Sequence, residues 1–252
     1  GGMLRDMDSA IDEITDLLKR DTALTARIIR ISNSVAYNTG SLHASLEEAV
    51  ARVGFAEVYR LTGFAAVAQM SERTLVLYGI KAAHLRENSL LTALLIEAIA
   101  QQAGLDPREA YTAGLLRSTG KIALDRLARE IASPGGYEGD GRGPLAEWET
   151  NLVGLSNCEA AARILQEWRF PKTTVESIRH HYAPLDDSPA LATLLNLAAG
   201  AAERCGHGLP GERFYWEVTP EKLAAVGLEQ GQLDDASRLA LERFGPMRAA
   251  LA

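Results

Sequence analysis

Residues 107 to 125 read Pro-Arg-Glu-Ala-Tyr-Thr-Ala-Gly-Leu-Leu-Arg-Ser-Thr-Gly-Lys-Ile-Ala-Leu-Asp, and this stretch decides the fold. Ala110, Ala113 and Gly114 recur at helical spacing and give a helix a flat face on which a neighbouring helix can lie close. Leu115 and Leu116 lead into a polar pair, Arg117-Ser118. Gly120 then permits a turn before Ile122 resumes the apolar pattern.

Outward from this stretch the chain reads as helix almost throughout, so the expected class is all-α. Ser9, Asp21 and the box Ser45-Leu46-Glu47-Glu48 each cap a helix in the first third. A further helix runs from Phe55 to about Met70, and residues 71 to 83 read as a hinge or another helix. Leu90, Leu94 and Ile99 place an amphipathic helix over 85 to 103, with Gly104 as its stop. Helices over 107 to 118 and 121 to 132 come next. The segment from Ser133 to Pro144, crowded with glycine, reads as a surface loop. It lacks the preceding strand and the closing Gly-Lys-Ser/Thr of a phosphate-binding loop. Pro171 suits the first turn of a helix ending at His180-His181-Tyr182. Ser188 or Pro189 starts an apolar helix over 190 to 204, and two more helices are expected near 220 to 226 and 232 to 244.

Bulk properties narrow the function classes. A chain of 252 residues, 47% hydrophobic and 23% charged, is an ordinary globular sequence able to bury a sizeable core. The net charge of −7 falls mostly beyond Pro134. Neither part carries the basic excess that phosphate backbones or anionic membranes require, so neither nucleic acid nor a membrane surface is an expected partner. No apolar run is long enough to span a bilayer, and no secretory signal is read at the start. Cys158 and Cys205 show no pairing motif and are expected as free thiols of a reducing cytoplasm.

Three stretches together resemble one family. Asp-Thr-Ala-Leu-Thr-Ala-Arg-Ile-Ile-Arg-Ile-Ser-Asn-Ser-Val-Ala-Tyr at 21 to 37 looks like the signature of HDOD proteins, the HD-related output domains of bacterial signalling. Ser-Leu-Glu-Glu-Ala-Val-Ala-Arg-Val-Gly-Phe at 45 to 55 resembles the next block of that family. The stretch from 107 is similar to the HD form Gly-Leu-Leu-His-Asp-Ile-Gly-Lys, with Arg117 and Ser118 in place of histidine and aspartate. Gly154, the run Ala160-Ala161-Ala162 and Trp168-Arg169-Phe170-Pro171 extend the likeness, which covers about residues 4 to 205.

The resemblance implies a multi-helix HD-like bundle with an N-terminal helical lobe. Its parts would be the lobe at 1–83, the degenerate HD-like bundle at 84–206 and a helical extension at 207–252. It also implies where an HD metal site would lie. The first histidine falls on Asn88, the His-Asp pair on Arg117-Ser118, the last aspartate on Ala199, and a further HDOD histidine on Asn157. Arginine offers a metal no lone pair, so these degenerate positions imply no metal, no cofactor and no enzyme. The expected role is a bacterial, cytoplasmic, metal-free signal-output domain acting on other signalling proteins through protein-protein contacts. One alternative is a sensor holding a nucleotide or other anion in a pocket of Arg117, Lys121, Asn157 and His180. A metal-dependent phosphohydrolase is the weaker alternative.

Two readings of the residues themselves remain open at this level. Asn88, Arg117 and Asn157 can form a hydrogen-bonded plug in the vacated pocket. A buried Arg117 then needs a counter-ion, either a carboxylate, with Glu149 or Glu87 expected, or a bound anion. Adjacent helical residues project about 100° apart, so His180 and His181 do not face one metal, and one of them is expected in the core against Trp168 or Tyr182. Tyr37, Trp148, Trp168 and Trp216 are expected as core or cover.

Overall fold

Asp106 opens the helix that carries the small-residue face: its side chain accepts from the Arg108 amide at 2.8 Å, and Pro107 occupies the first helical turn. This structure, a computed structural model, describes residues 73–130, 136–137, 144–184 and 187–251. The capped helices expected before residue 71, Tyr37 and the signature stretches at 21 to 37 and 45 to 55 lie outside the described residues.

The described helices are α1 (Ala82–Ala103), α2 (Pro107–Leu116), α3 (Thr119–Glu130), α4 (Leu145–Val153), α5 (Asn157–Glu167), α6 (Lys172–His180), α7 (Ala190–Ala202), α8 (Pro220–Ala225) and α9 (Gln230–Leu251). The only bridge among the described residues is the isolated pair Leu75 and Ile80, so the all-α reading holds. Of residues 71 to 83, read as hinge or helix, those described begin at 73 and form a 3-10 turn at Val76–Tyr78 closed by that bridge, followed by the start of α1 at Ala82. The helix expected to stop near Phe244 continues to Leu251 and takes Pro246 into its interior.

The chain divides into two units, 70–242 and 1–69 with 243–252. The last turns of α9 are the described part of the second. In the first, α1 packs against α2 and α7, α3 against α5, and α6 against α5 and α7. Residues 207–242, set apart in the sequence as an extension, lie in this same unit as 84–206.

Two glycines make the packing possible. A Cβ on Gly114 would stand 2.6 Å from the Ala93 Cα, so α1 and α2 are in backbone contact there. On Gly120 it would stand 1.8 Å from the Asn157 carbonyl oxygen, which seats α3 on the start of α5. The approach at Gly114 is the one the small-residue pattern predicts, whereas Gly120, read as a turn, lies inside α3 and serves as a packing contact. Trp168, expected as core or cover, comes directly after α5 and is 49% exposed, so it is not a core residue.

Candidate functional site

The site begins where α2 ends. Arg117 is its C-cap, and the Arg117 amide donates to the Ala113 carbonyl at 3.0 Å. The next turn of chain places Lys121 early in α3. Both side chains point into the core and are fully buried, as are two carboxylates, Glu149 on α4 and Glu212 in the segment between α7 and α8. Two cations and two anions therefore share one buried region. Each has to be neutralised there, because an isolated buried charge is strongly unfavourable.

Glu212 is the centre of this arrangement. Arg117 Nη1 donates to both its oxygens, at 3.1 and 2.9 Å. Lys121 Nζ lies 3.0 Å from Oε1, and the Tyr182 hydroxyl donates to the same oxygen at 2.9 Å. The Tyr182 oxygen accepts in turn from Lys121 Nζ at 2.8 Å and from Asn157 Nδ2 at 3.1 Å. One donor and two acceptor sites exhaust a hydroxyl, so Tyr182 is saturated. Burial alone would raise the Glu212 carboxyl, but the charges of Arg117 and Lys121 outweigh it and hold the group down at about 2. Tyr182 moves the other way, well above the ordinary phenol value, through burial and then through the Glu212 charge.

Glu149 serves the second half. It accepts from the Asn157 amide at 2.7 Å, from Asn157 Nδ2 at 2.9 and 3.0 Å, and from the Tyr78 hydroxyl at 2.8 Å. Its Oε1 lies 4.0 Å from Lys121 Nζ. Asn157 is the first residue of α5, so a carboxylate at its amide also faces the positive end of the helix. Burial, then the Glu149 charge, raises the Tyr78 phenol far above its ordinary value and keeps it a donor.

The remaining degenerate positions are filled by neighbours. Asn88 accepts from Arg117 Nη2 at 2.7 Å and donates to the His207 carbonyl at 2.6 Å, so both ends of its amide are committed. Ala199 is buried against Cys158, Tyr182 and Trp216. The Arg117 guanidinium lies 5.5 Å from the centre of the Trp216 ring. Ser118 Oγ and Arg117 Nε are buried and have no hydrogen-bond partner among the described residues.

An HD-type metal does not fit this donor set. Arg117 has no lone pair, Ala199 has no donor atom, and the Asn88 oxygen is taken by a guanidinium. Among the described residues no three His, Cys, Asp or Glu side chains stand where they could share a metal ion.

The structure brings together Arg117, Lys121 and Asn157 of the pocket read from sequence, but not His180. His180 is partly exposed on α6 beside Glu176, with Nε2 3.5 Å from the carboxylate. Its neighbour His181 is the buried one: Nδ1 donates to the Ile178 carbonyl at 2.7 Å and the ring stacks on Trp216. Burial and then the Arg117 charge hold His181 down at about 3, so it is neutral. The expected counter-ion of Arg117 is corrected as well. Glu149 partners Asn157 and Tyr78, Glu87 lies 3.3 Å from His207, and the carboxylate on Arg117 is Glu212. Glu212, Tyr182 and Trp216 were absent from the sequence-level site. A signal existed: one acid sits among Leu209, Tyr215 and Trp216 in a stretch whose aromatic residues demand burial.

Comparison with known proteins places these observations. A family model described as HDOD domain matches residues 2–184. An uncharacterized protein of Treponema pallidum (strain Nichols) is 21% identical over 194 residues, covering 74% of this chain and 37% of that protein. The chain therefore spans little more than a third of the length of that relative. A solved structure from Marinobacter aquaeolei VT8, provisionally described as a signal transduction protein, superposes with a TM-score of 0.70 at 21% identity, over 94% of this chain and 54% of that one. One from Shewanella amazonensis SB2B, provisionally described as a phosphohydrolase, gives 0.67 at 24% identity, over 96% and 87%. At such identities the likeness to the solved structures is one of fold. Among the described residues no helix is long and apolar enough to cross a membrane.

Proposed function

This chain belongs to the HDOD family, and on that premise we propose that it is a non-catalytic output domain of bacterial signal transduction, acting in the cytoplasm through contacts with other signalling proteins. One observation carries the reading. The place where an HD enzyme gathers metal ligands is a self-neutralised core in which Arg117 and Lys121 meet Glu212. Hydrolysis of a phosphoester by HD chemistry needs a metal-activated water. Here Arg117 stands in place of a ligand, and a guanidinium offers a metal ion charge repulsion and no lone pair. The chemistry left to such a domain is recognition.

An anion sensor needs Arg117 and Lys121 to have donors facing a ligand. Glu212 already takes the Arg117 Nη1 donor and lies within 3.0 Å of Lys121, which favours the output reading over a small-anion sensor. The test is elemental analysis of the purified chain together with hydrolysis assays. These use a phosphomonoester, a cyclic dinucleotide and a linear phosphodiester, each with added manganese, iron or zinc. The expected result is less than stoichiometric metal and no turnover above buffer. One bound equivalent of metal, or turnover abolished by a chelator, overturns the reading.

A further inference from the structure

The segment 206–216, between α7 and α8, is held in the bundle as a bound peptide would be. Two asparagine side chains clamp its backbone: Asn88 Nδ2 donates to the His207 carbonyl at 2.6 Å and Asn196 Nδ2 to the Tyr215 carbonyl at 3.0 Å. Clamps on carbonyls read a main chain without regard to its sequence. Between them, side chains supply the specificity. Leu209 is buried in an apolar cluster, Glu212 enters the Arg117 and Lys121 site, and Tyr215 stacks on Tyr182 with ring centres 4.0 Å apart.

Two further features separate this segment from an ordinary connection. It lies beyond the residues matched by the family model, whereas all its partners named above except Asn196 lie within them. Its attachment also rests on a buried ion pair. A buried ion pair adds little net stability over an apolar contact of the same volume, but it discriminates strongly between a partner with the matching charge and one without. The backbone of the segment turns at Gly206 and Gly211, both in the left-handed region at φ of 82° and 81°, and its outer face carries Phe214 at 85% exposure.

We propose that residues 206–216 are a ligand bound in cis, and that the groove they fill is a recognition site for a segment of another protein. That segment would carry a leucine, then an acidic residue, then an aromatic pair at the spacing of Leu209, Glu212, Tyr215 and Trp216. The inference rests on the reading of the chain as a protein-contact domain and names the chemistry of the contact. The chain's own segment holds the groove closed, and a partner gains access by exchange. Such a partner competes against an intramolecular occupant, so a single short peptide binds the native chain weakly, while a protein with a second point of attachment binds it well.

The experiment uses the full chain, native and with Glu212→Gln, and a synthetic peptide of residues 207–217. A second peptide carries glutamine in place of its glutamate. Binding is read by fluorescence anisotropy and thermal shift. The expected result is at least tenfold tighter binding of the first peptide to Glu212→Gln than to the native chain. The glutamine peptide should be at least tenfold weaker on that same variant. Equal affinity of the two peptides, or no binding to a folded variant, overturns the proposal. So does stabilisation of the variant by inorganic phosphate or a nucleoside monophosphate but not by the peptide, which would make the groove a small-anion site. If Glu212→Gln does not fold, hydrogen exchange of the native chain decides: excess peptide must speed exchange in 206–216, and an unchanged rate overturns the proposal. A metal-dependent hydrolase activity would sink the output reading and leave the peptide result unaffected, so the two failures are distinct.

Discussion

Arg117 and Glu212 stand 95 positions apart in the chain, yet the nearer Glu212 oxygen accepts from the guanidinium at 2.9 Å with both residues fully buried. Glu212 also serves Lys121, whereas Arg117 keeps a second partner in Asn88. The two ends of the pair are therefore unequal. Replacing Glu212 by glutamine takes the carboxylate from Arg117 and leaves Lys121 only Glu149 at 4.0 Å, whereas replacing Arg117 by methionine leaves Glu212 still held by Lys121 and Tyr182. Breaking a buried pair typically costs about 3–5 kcal/mol. Glu212→Gln is expected in that range and Arg117→Met below it, measured by urea denaturation. The double variant Arg117→Met with Glu212→Gln should lose less than the sum of the two. Strict additivity would show that the pair is not coupled.

The second prediction concerns Gly120, where a Cβ would overlap the Asn157 carbonyl oxygen. The obstruction is backbone, which cannot rotate away, so α3 and α5 must separate. Overpacking of this kind costs roughly 1–3 kcal/mol or more. Gly120→Ala should fall at or above the top of that range, and it should also shift Asn157 away from Glu149. Gly114→Ala meets the Ala93 backbone at 2.6 Å and should cost less. The reverse order in melting temperature would contradict this packing.

Much of the fold and part of the site are legible in the sequence, and the parts that are not share one reason. Helix limits around 104 to 107 come from local chemistry, namely Gly104 at a stop and Asp106-Pro107 at a start, and these need no tertiary information. The close approach at Gly114 is readable for the same reason. The counter-ion of Arg117 is not. Any of several carboxylates satisfies the charge, and the choice among them is made by which segment folds over the pocket. His181 is readable in principle, since it continues the three-residue spacing of the apolar Val175 and Ile178, whereas His180 follows the polar Thr174 and Ser177. Arg117, Lys121, Asn88 and Asn157 are within reach of the sequence by identity, and the counter-ion only as a needed charge.

Stability should fall with acid in two stages, and the sign comes from two depressed pKa values. His181 titrates at about 3 in the folded chain against 6.5 for a free imidazole. Below pH 6.5 the unfolded chain takes up a proton that the folded chain refuses, so stability declines as pH falls from 6.5 towards 3. Glu212 titrates at about 2 against 4.5. Its contribution is complete above 4.5 and is lost between 4.5 and 2. Each stage amounts to a few kcal/mol at the order-of-magnitude level. His181→Phe keeps an aromatic ring beside Trp216 and should flatten the slope between pH 6.5 and 4.5, with lower stability at pH 7 from the lost bond to Ile178. A slope unchanged in that window would mean that His181 is not the titrating group.

The last prediction tests whether the bundle can fold without the segment beyond α7. A chain ending at Cys205 keeps α1 to α7 and so retains Arg117, Lys121 and Glu149 in the bundle. It loses the Glu212 carboxylate, the His207 carbonyl on Asn88, the Tyr215 carbonyl on Asn196 and the Trp216 ring over Arg117. The loss of Glu212 alone takes about 3–5 kcal/mol. Domains of this size have about 5–15 kcal/mol in all. Uncovering the apolar surface under Leu209 and Trp216 adds a further loss at about 25 cal/mol per Å². The truncated chain is therefore expected to show no cooperative melt and to bind a hydrophobic dye. A two-state transition within a few degrees of the full chain would show that the bundle tolerates Arg117 buried without a carboxylate, and the role assigned to Glu212 would fail with it.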